Sequence, residues 1–192
     1  MSQIIPAQGP TTGNTHVTIV GTKFVDTGEI TVLFANTTDS IVSGSFSSPS
    51  VITCISPPFE VALTTVRVAL NGQQYTTSPV TYLFYDSAIV VQSLSPASGP
   101  ITGGTQETIT GSGFVDTGNI YARFSNGTDS LVVAATFVDS NHVACITPDF
   151  SQNVSTVVTT VEVALNGQQF TDNGQQFYYY GMLVRYLSYS WN

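Results

Sequence analysis

The chain of 192 residues is long enough for one large domain or two of about 100 residues each. Its four Lys and Arg against twelve Asp and Glu, a net charge of −8, argue against nucleic acid, which needs clustered cations, and against an anionic membrane surface. No run reaches the roughly 18 apolar residues of a membrane-spanning helix, so membrane insertion is not expected.

The opening MSQIIPAQGP lacks the basic start and apolar stretch of a signal peptide. Gly9-Pro10 suits a turn after a first strand, Gly21 ends a second, and Phe24 is placed to plug one end of a core. Ile30, Val32 and Phe34 alternate with Thr31 and Leu33, and Val66, Val68 and Leu70 alternate with Arg67 and Ala69. A period of two with one apolar side is the mark of a half-buried strand. Asn71-Gly72 follows, a pair that readily takes the positive φ angles of a tight hairpin.

From Gly99 the same text begins again. GPTTGNTHVTIVGTKFVDTGEITVLFANTTDS (Gly9–Ser40) aligns without a gap on GPITGGTQETITGSGFVDTGNIYARFSNGTDS (Gly99–Ser130). VITCISPPF (Val51–Phe59) matches HVACITPDF (His142–Phe150), and VRVALNGQQYT (Val66–Thr76) matches VEVALNGQQFT (Val161–Thr171). YLFY (Tyr82–Tyr85) closes the first copy and FYYY (Phe177–Tyr180) the second. One unit is written twice, so the expected domains are 1–88 and 89–181, followed by 182–192 as an aromatic tail or the start of a further repeat. The class is all-β: two tandem β-sandwiches of about seven strands each.

SLSPASGPITGGTQETITGSGF (Ser93–Phe114), then VACITP (Val143–Pro148) and the closing VEVALNGQQF and FYYY, resembles the IPT/TIG domain, and IIPAQGPTTGNTHVTIVGTKF shows the same pattern in the first copy. The resemblance spans nearly the whole chain and implies an immunoglobulin-like module of the kind found in plexin-type receptors, some transcription factors and microbial surface proteins. A transcription-factor role lacks the basic contact residues. The resemblance implies instead a non-catalytic structural or adhesive repeat protein, without cofactor, acting as an interaction or assembly module. Its place would be an exterior surface: extracellular filament, cell surface, virion or fibre. Its partners would be proteins, copies of itself in a filament or shell among them. A surface of Ser, Thr, Asn, Gln and Gly suits that setting. Glycans are the alternative partner, in a carbohydrate-binding accessory module that would use outward aromatics, for which Tyr121 and Tyr179 are the candidates.

Phe-Val-Asp-Thr-Gly occurs at Phe24–Gly28 and Phe114–Gly118, and Asp-Thr-Gly is the triplet of aspartic proteases. Such enzymes need two carboxylates close enough to share a proton. Here Glu29 or Asn119 follows the triplet, where that family has a small or hydroxylic residue, and the later apolar-apolar-Gly brace is replaced by Leu-Asn-Gly. Asp26 and Asp116 are therefore read as Asx-turn acceptors, with Gly28 and Gly118 supplying positive φ. No catalytic residue is assigned and the chain is not expected to be an enzyme.

Cys54 and Cys145 stand at equivalent inward positions, one per unit, and are expected as buried free thiols. In many IPT/TIG domains this cysteine pairs with one on a facing strand, where Val32 and Ala122 stand here. Three N-x-[ST] sequons, at Asn36, Asn126 and Asn153, are glycan acceptors if the chain passes a secretory pathway. His16 and His142 are not repeated between the copies and lie in no metal-like spacing. Asp26, Glu29, Asp39, Asp116 and Asp129 are too dispersed for a calcium site, which wants six to eight oxygen ligands. Tyr186, Tyr189 and Trp191 in the tail are interface-prone residue types.

Overall fold

The computed structural model describes residues 1–151 and 156–181, and every regular element among them is a strand. The first unit holds β1 (Gln3–Ile5), β2 (Gln8–Pro10), β3 (His16–Val20), β4 (Thr31–Ala35), β5 (Asp39–Ser48), β6 (Val51–Ile55), β7 (Ala62–Ala69) and β8 (Val80–Tyr85). Hydrogen bonds run in the order β1-β3-β6-β5-β4-β7-β8-β2. The ladder becomes two layers because β5 serves both: Asp39–Ser43 pairs with β4, and Gly44–Ser48 pairs with β6. Between the layers Ile19, Val32, Phe34, Ile52, Val66, Tyr82 and Phe84 lose all contact with solvent. Phe34 sits edge-on to both Tyr82 and Phe84, with ring centroids 5.4 and 5.8 Å away, a favoured aromatic geometry.

The first strand divides at Pro6, ahead of the Gly9-Pro10 turn that the sequence suggested. Before the cis Ile5–Pro6 bond, β1 pairs antiparallel with β3; after it, β2 pairs parallel with β8. Gly9-Pro10 is thus strand rather than turn, and Gly9 lets the Tyr82 hydroxyl and Thr15 approach its backbone. One short segment covers the outer edge of each layer, which limits the unpaired edge available to other chains. This split is why each unit has eight strands where about seven were expected.

The second unit repeats the plan with β9 (Val90–Ser95), β10 (Ser98–Pro100), β11 (Gln106–Ser112), β12 (Tyr121–Ser125), β13 (Ser130–Asp139), β14 (His142–Ile146), β15 (Thr156–Ala164) and β16 (Gln175–Tyr180). Its order, β10-β16-β15-β12-β13-β14-β11-β9, is the same. The register corrects the ungapped alignment: Ala35 pairs with Asp39, whereas Ser125 pairs with Ser130, so the extra residue lies in the β12–β13 hairpin and Gly44 corresponds to Ala135. Phe24 and Phe114 close the cores as expected. A Cβ on Gly21 would lie 2.5 Å from the Phe24 ring, and one on Gly111 would lie 2.7 Å from Phe114.

Candidate functional site

The Asp-Thr-Gly triplets form exposed corners, one per unit. Asp26 Oδ1 accepts the Gly28 N–H at 3.2 Å, and Asp116 Oδ1 accepts that of Gly118 at 3.2 Å, with φ of 74° and 68° at the two glycines. The intervening threonine ties each corner to a neighbouring loop: Thr27 donates to the Leu70 carbonyl, and Thr117 to that of Leu165. Each carboxylate is spent on its own turn.

The loop that the threonine holds is Leu-Asn-Gly-Gln-Gln. It is longer than a two-residue hairpin, because Ala69 bridges to Tyr75 across five residues. Asn71 Oδ1 caps it by accepting the N–H groups of Gln73 and Gln74, at 3.1 and 3.0 Å. Asn166 does the same for Gln168 and Gln169, at 3.1 and 3.2 Å. The two loops are built alike and used differently.

In the second unit this loop grips the first unit. Gln168 meets the backbone of His16 as a strand would: its Oε1 accepts the His16 N–H at 2.9 Å and its Nε2 donates to the His16 carbonyl at 2.9 Å. Gln169 Nε2 donates to the Asn14 carbonyl at 3.0 Å, and its Oε1 accepts the Thr15 hydroxyl at 3.1 Å. Asn166 Nδ2 reaches the same hydroxyl at 3.3 Å. Gln8 completes the joint by donating to the Thr117 carbonyl at 2.8 Å. Gln8, Thr15 and Asn166 are buried at the centre of the joint, while the bonds of Gln168 to His16 and of Gln169 to Asn14 lie at its exposed rim. Tyr85, the last residue of β8, packs into the core cluster of the second unit and is 2% exposed. Neutral amides, hydroxyls and backbone make up these bonds.

Sequence reading took Asn-Gly as a turn signal and missed the glutamines. The available signal was that both glutamines recur in the two copies although no turn requires them. It also passed over Glu107, which occupies the inward position held by Val17 in the first unit. Glu107 is fully buried, neither carboxyl oxygen has a hydrogen-bond partner, and burial pushes its pKa from 4.5 up to about 8. Around it stand Cys145, directly across on β14, and the Tyr179 phenol, which burial raises and the Glu107 carboxyl raises further. A carboxyl in this setting stays protonated at neutral pH.

The cysteines are free and buried, and burial pushes both thiols up to about 12, far from a reactive thiolate. Tyr179 is not outward: it is 2% exposed, because Phe177 and Tyr179 face the core and Tyr178 and Tyr180 face solvent. Tyr121 is half-buried beneath Gly167, whose added Cβ would lie 3.1 Å from its ring. Asn36 is exposed at the tip of the β4–β5 hairpin, whereas Asn126 turns its Oδ1 inward to accept the N–H groups of Thr128 and Asp129. His16 joins the joint through its backbone, and His142 pairs with Asp139 at 2.9 Å. Among the described residues no three His, Cys, Asp or Glu side chains are grouped to hold a metal ion. Asn153, Tyr186, Tyr189 and Trp191 lie outside the described residues.

Comparison with known structures finds the extracellular region of plexin A4 similar in fold, at 19% identity and a TM-score of 0.64, covering 92% of this chain and 15% of that one. The chain therefore spans a small part of that ectodomain's length. The TIG domain of human nuclear factor of activated T-cells, cytoplasmic 4, matches 51% of the chain at 19% identity with a TM-score of 0.39, over 92% of its own length. The IPT/TIG domain family matches residues 1–84 and again 90–179, so this chain belongs to the IPT/TIG family, in tandem.

Proposed function

We propose that this chain is a non-catalytic interaction or assembly module displayed on an exterior surface, as part of a filament, a cell surface or a virion, with 1–88 and 89–181 as its two domains and 182–192 as a tail that contributes Tyr186, Tyr189 and Trp191 to contacts. The observation that carries this reading is the joint. Side chains that an enzyme would aim into a cleft are spent here on fixing one sandwich to the next, which a rigid spacer requires and catalysis does not. A surface poor in cations and rich in hydroxyl and amide side chains, and receptor-like fold relatives, fit the same role. If the source organism secretes the protein, the exposed Asn36 is the favoured glycan acceptor over Asn126, which is partly buried and whose Oδ1 is held in its own hairpin.

Protease treatment of intact cells or particles carrying the epitope-tagged protein tests the location. The expected result is loss of the tag without lysis; a tag that survives until lysis would refute an exterior role. Glycan recognition is the second reading, favoured by the neighbouring outward Tyr178 and Tyr180, 50% and 53% exposed. A glycan array comparing the chain with Tyr178→Ala decides it, since unchanged binding would remove that surface from consideration.

A further inference from the structure

The joint between the two domains has a donor side and an acceptor side, and each domain carries both. The donor side is the Asn-Gly-Gln-Gln loop. In the second domain it is engaged; in the first, Asn71, Gly72, Gln73 and Gln74 are all exposed. The idle loop is already in shape, with Asn71 capping the N–H groups of Gln73 and Gln74 and its Nδ2 donating to Gln74 Oε1, as Asn166 does to Gln169 Oε1 at 2.6 Å. A loop held in its binding conformation loses little further entropy on docking.

The acceptor side is Asn14-Thr15-His16 in the first domain and Gly104-Thr105-Gln106 in the second. Their backbones are held alike. Asn14 and Gly104 both take positive φ, 66° and 80°, and donate to the carbonyls of Ser56 and Thr147 at 2.9 Å each. The N–H of Thr15 bonds to Ser56 Oγ at 3.1 Å, and that of Thr105 to Thr147 Oγ1 at 3.0 Å. Recognition of this segment uses backbone groups and the threonine hydroxyl, so replacing His16 by Gln106 costs nothing. In the second domain the segment is open: Gly104 and Gln106 are exposed. Tyr180, the counterpart of the 2%-exposed Tyr85, is 53% exposed.

We infer that a second copy of this chain fills these vacancies, its Asn71–Gln74 loop docking on Gly104-Thr105-Gln106 and Tyr180, so that chains associate head to tail through a joint equivalent to the internal one. Of the six side-chain hydrogen bonds among the described residues of the internal joint, five would have counterparts; the one from Gln8 would be lost because Ser98 stands in its place. The contact is heterologous, and such contacts propagate into open filaments when the rotation does not close a ring. The inference deepens the assembly reading above and names its partner.

Sedimentation velocity of the full chain, from about 10 µM to about 1 mM, tests it, the upper end approaching the effective concentration a short tether supplies. Expected are species larger than monomer that grow with concentration and are insensitive to salt. Gln73→Ala/Gln74→Ala should weaken association at least tenfold without changing thermal stability, since those side chains are exposed. Mixing that variant with Gln106→Pro, which removes an N–H from the acceptor edge, should yield pairs that grow no further. A wild-type chain that stays monomeric throughout, or assembly that persists in the Gln73/Gln74 variant, overturns the inference. Either result leaves the protease test of exterior location standing, so the two failures are distinguishable.

Discussion

The two domains solve one packing problem with different residues. Where β5 passes between layers, the first domain has Gly44 beside Val32 and Ile52, and an added Cβ would lie 2.7 Å from Ile30 and 3.3 Å from Val32. The second domain carries Ala135 there, with the smaller Ala122 and Val143 as its neighbours. The methyl added at Ala135 is more than offset by the three carbons lost at Ala122 and Val143. The buried phenol moves, from Tyr82 beside Phe84 to Tyr179 beside Phe177. Inward alternation is kept and the volume changes oppose one another, and cores tolerate such exchanges. The exception is Glu107 in place of Val17, a polar group that the surrounding packing leaves without a partner. The comparison teaches that fold is set by pattern and volume, while individual liabilities persist in one copy alone.

Replacing Glu107 with the first domain's residue should sharpen that contrast most. The native carboxyl titrates at about 8 and the unfolded one near 4.5, so between these values the folded state binds the extra proton. Stability therefore falls as pH rises from about 4.5 through about 8, by an expected 3–5 kcal/mol in total, on the order of 1.4 kcal/mol per unit of pKa. Above that window it is flat. Glu107→Val should remove the slope and raise the melting temperature of the second domain at pH 9, read by calorimetry; an unchanged slope would exclude Glu107 as its source.

Gly44→Ala should destabilise the first domain by about 1–3 kcal/mol through overpacking. Adding Val32→Ala and Ile52→Val, which recreates the second domain's arrangement, should recover most of that loss in urea unfolding. Gln168→Ala/Gln169→Ala should cost about 1–3 kcal/mol by removing the bonds to the His16 and Asn14 backbone and one partner of the buried Thr15 hydroxyl. It should also separate the unfolding of the two domains, whereas the same changes at Gln73 and Gln74 leave monomer stability untouched. The smallest effect is expected for Asp26→Asn and Asp116→Asn. Asn accepts the same turn hydrogen bond, so stability should change by under about 0.5 kcal/mol. Peptidase assays should show no activity in either protein.

Strand positions and the inward sets were legible because alternation reports burial directly: Ile30, Val32 and Phe34 all face the core. The corner role of Asp-Thr-Gly was legible for a similar reason, since the turn is local. What escaped was non-local. The crossing of the first strand at Pro6 and of β5 at Gly44 depends on which neighbours are available in space, which no period records. The Gly9-Pro10 turn, the two-residue hairpin and the outward Tyr179 failed on local phase or loop length. The joint escaped because glutamines on a polar surface carry no pattern; their partner is backbone, which every sequence contains.

Amide hydrogen exchange at His16 and Gln106 reports directly on whether the second domain's loop holds the first domain. The His16 N–H is held by Gln168 of the neighbouring domain, and among the described residues no side chain holds Gln106 in the same way. In dilute solution exchange should be slow at His16 and fast at Gln106, and fast at both in Gln168→Ala. Equally fast exchange at the two positions in the unaltered chain would mean that the domains are not joined as described.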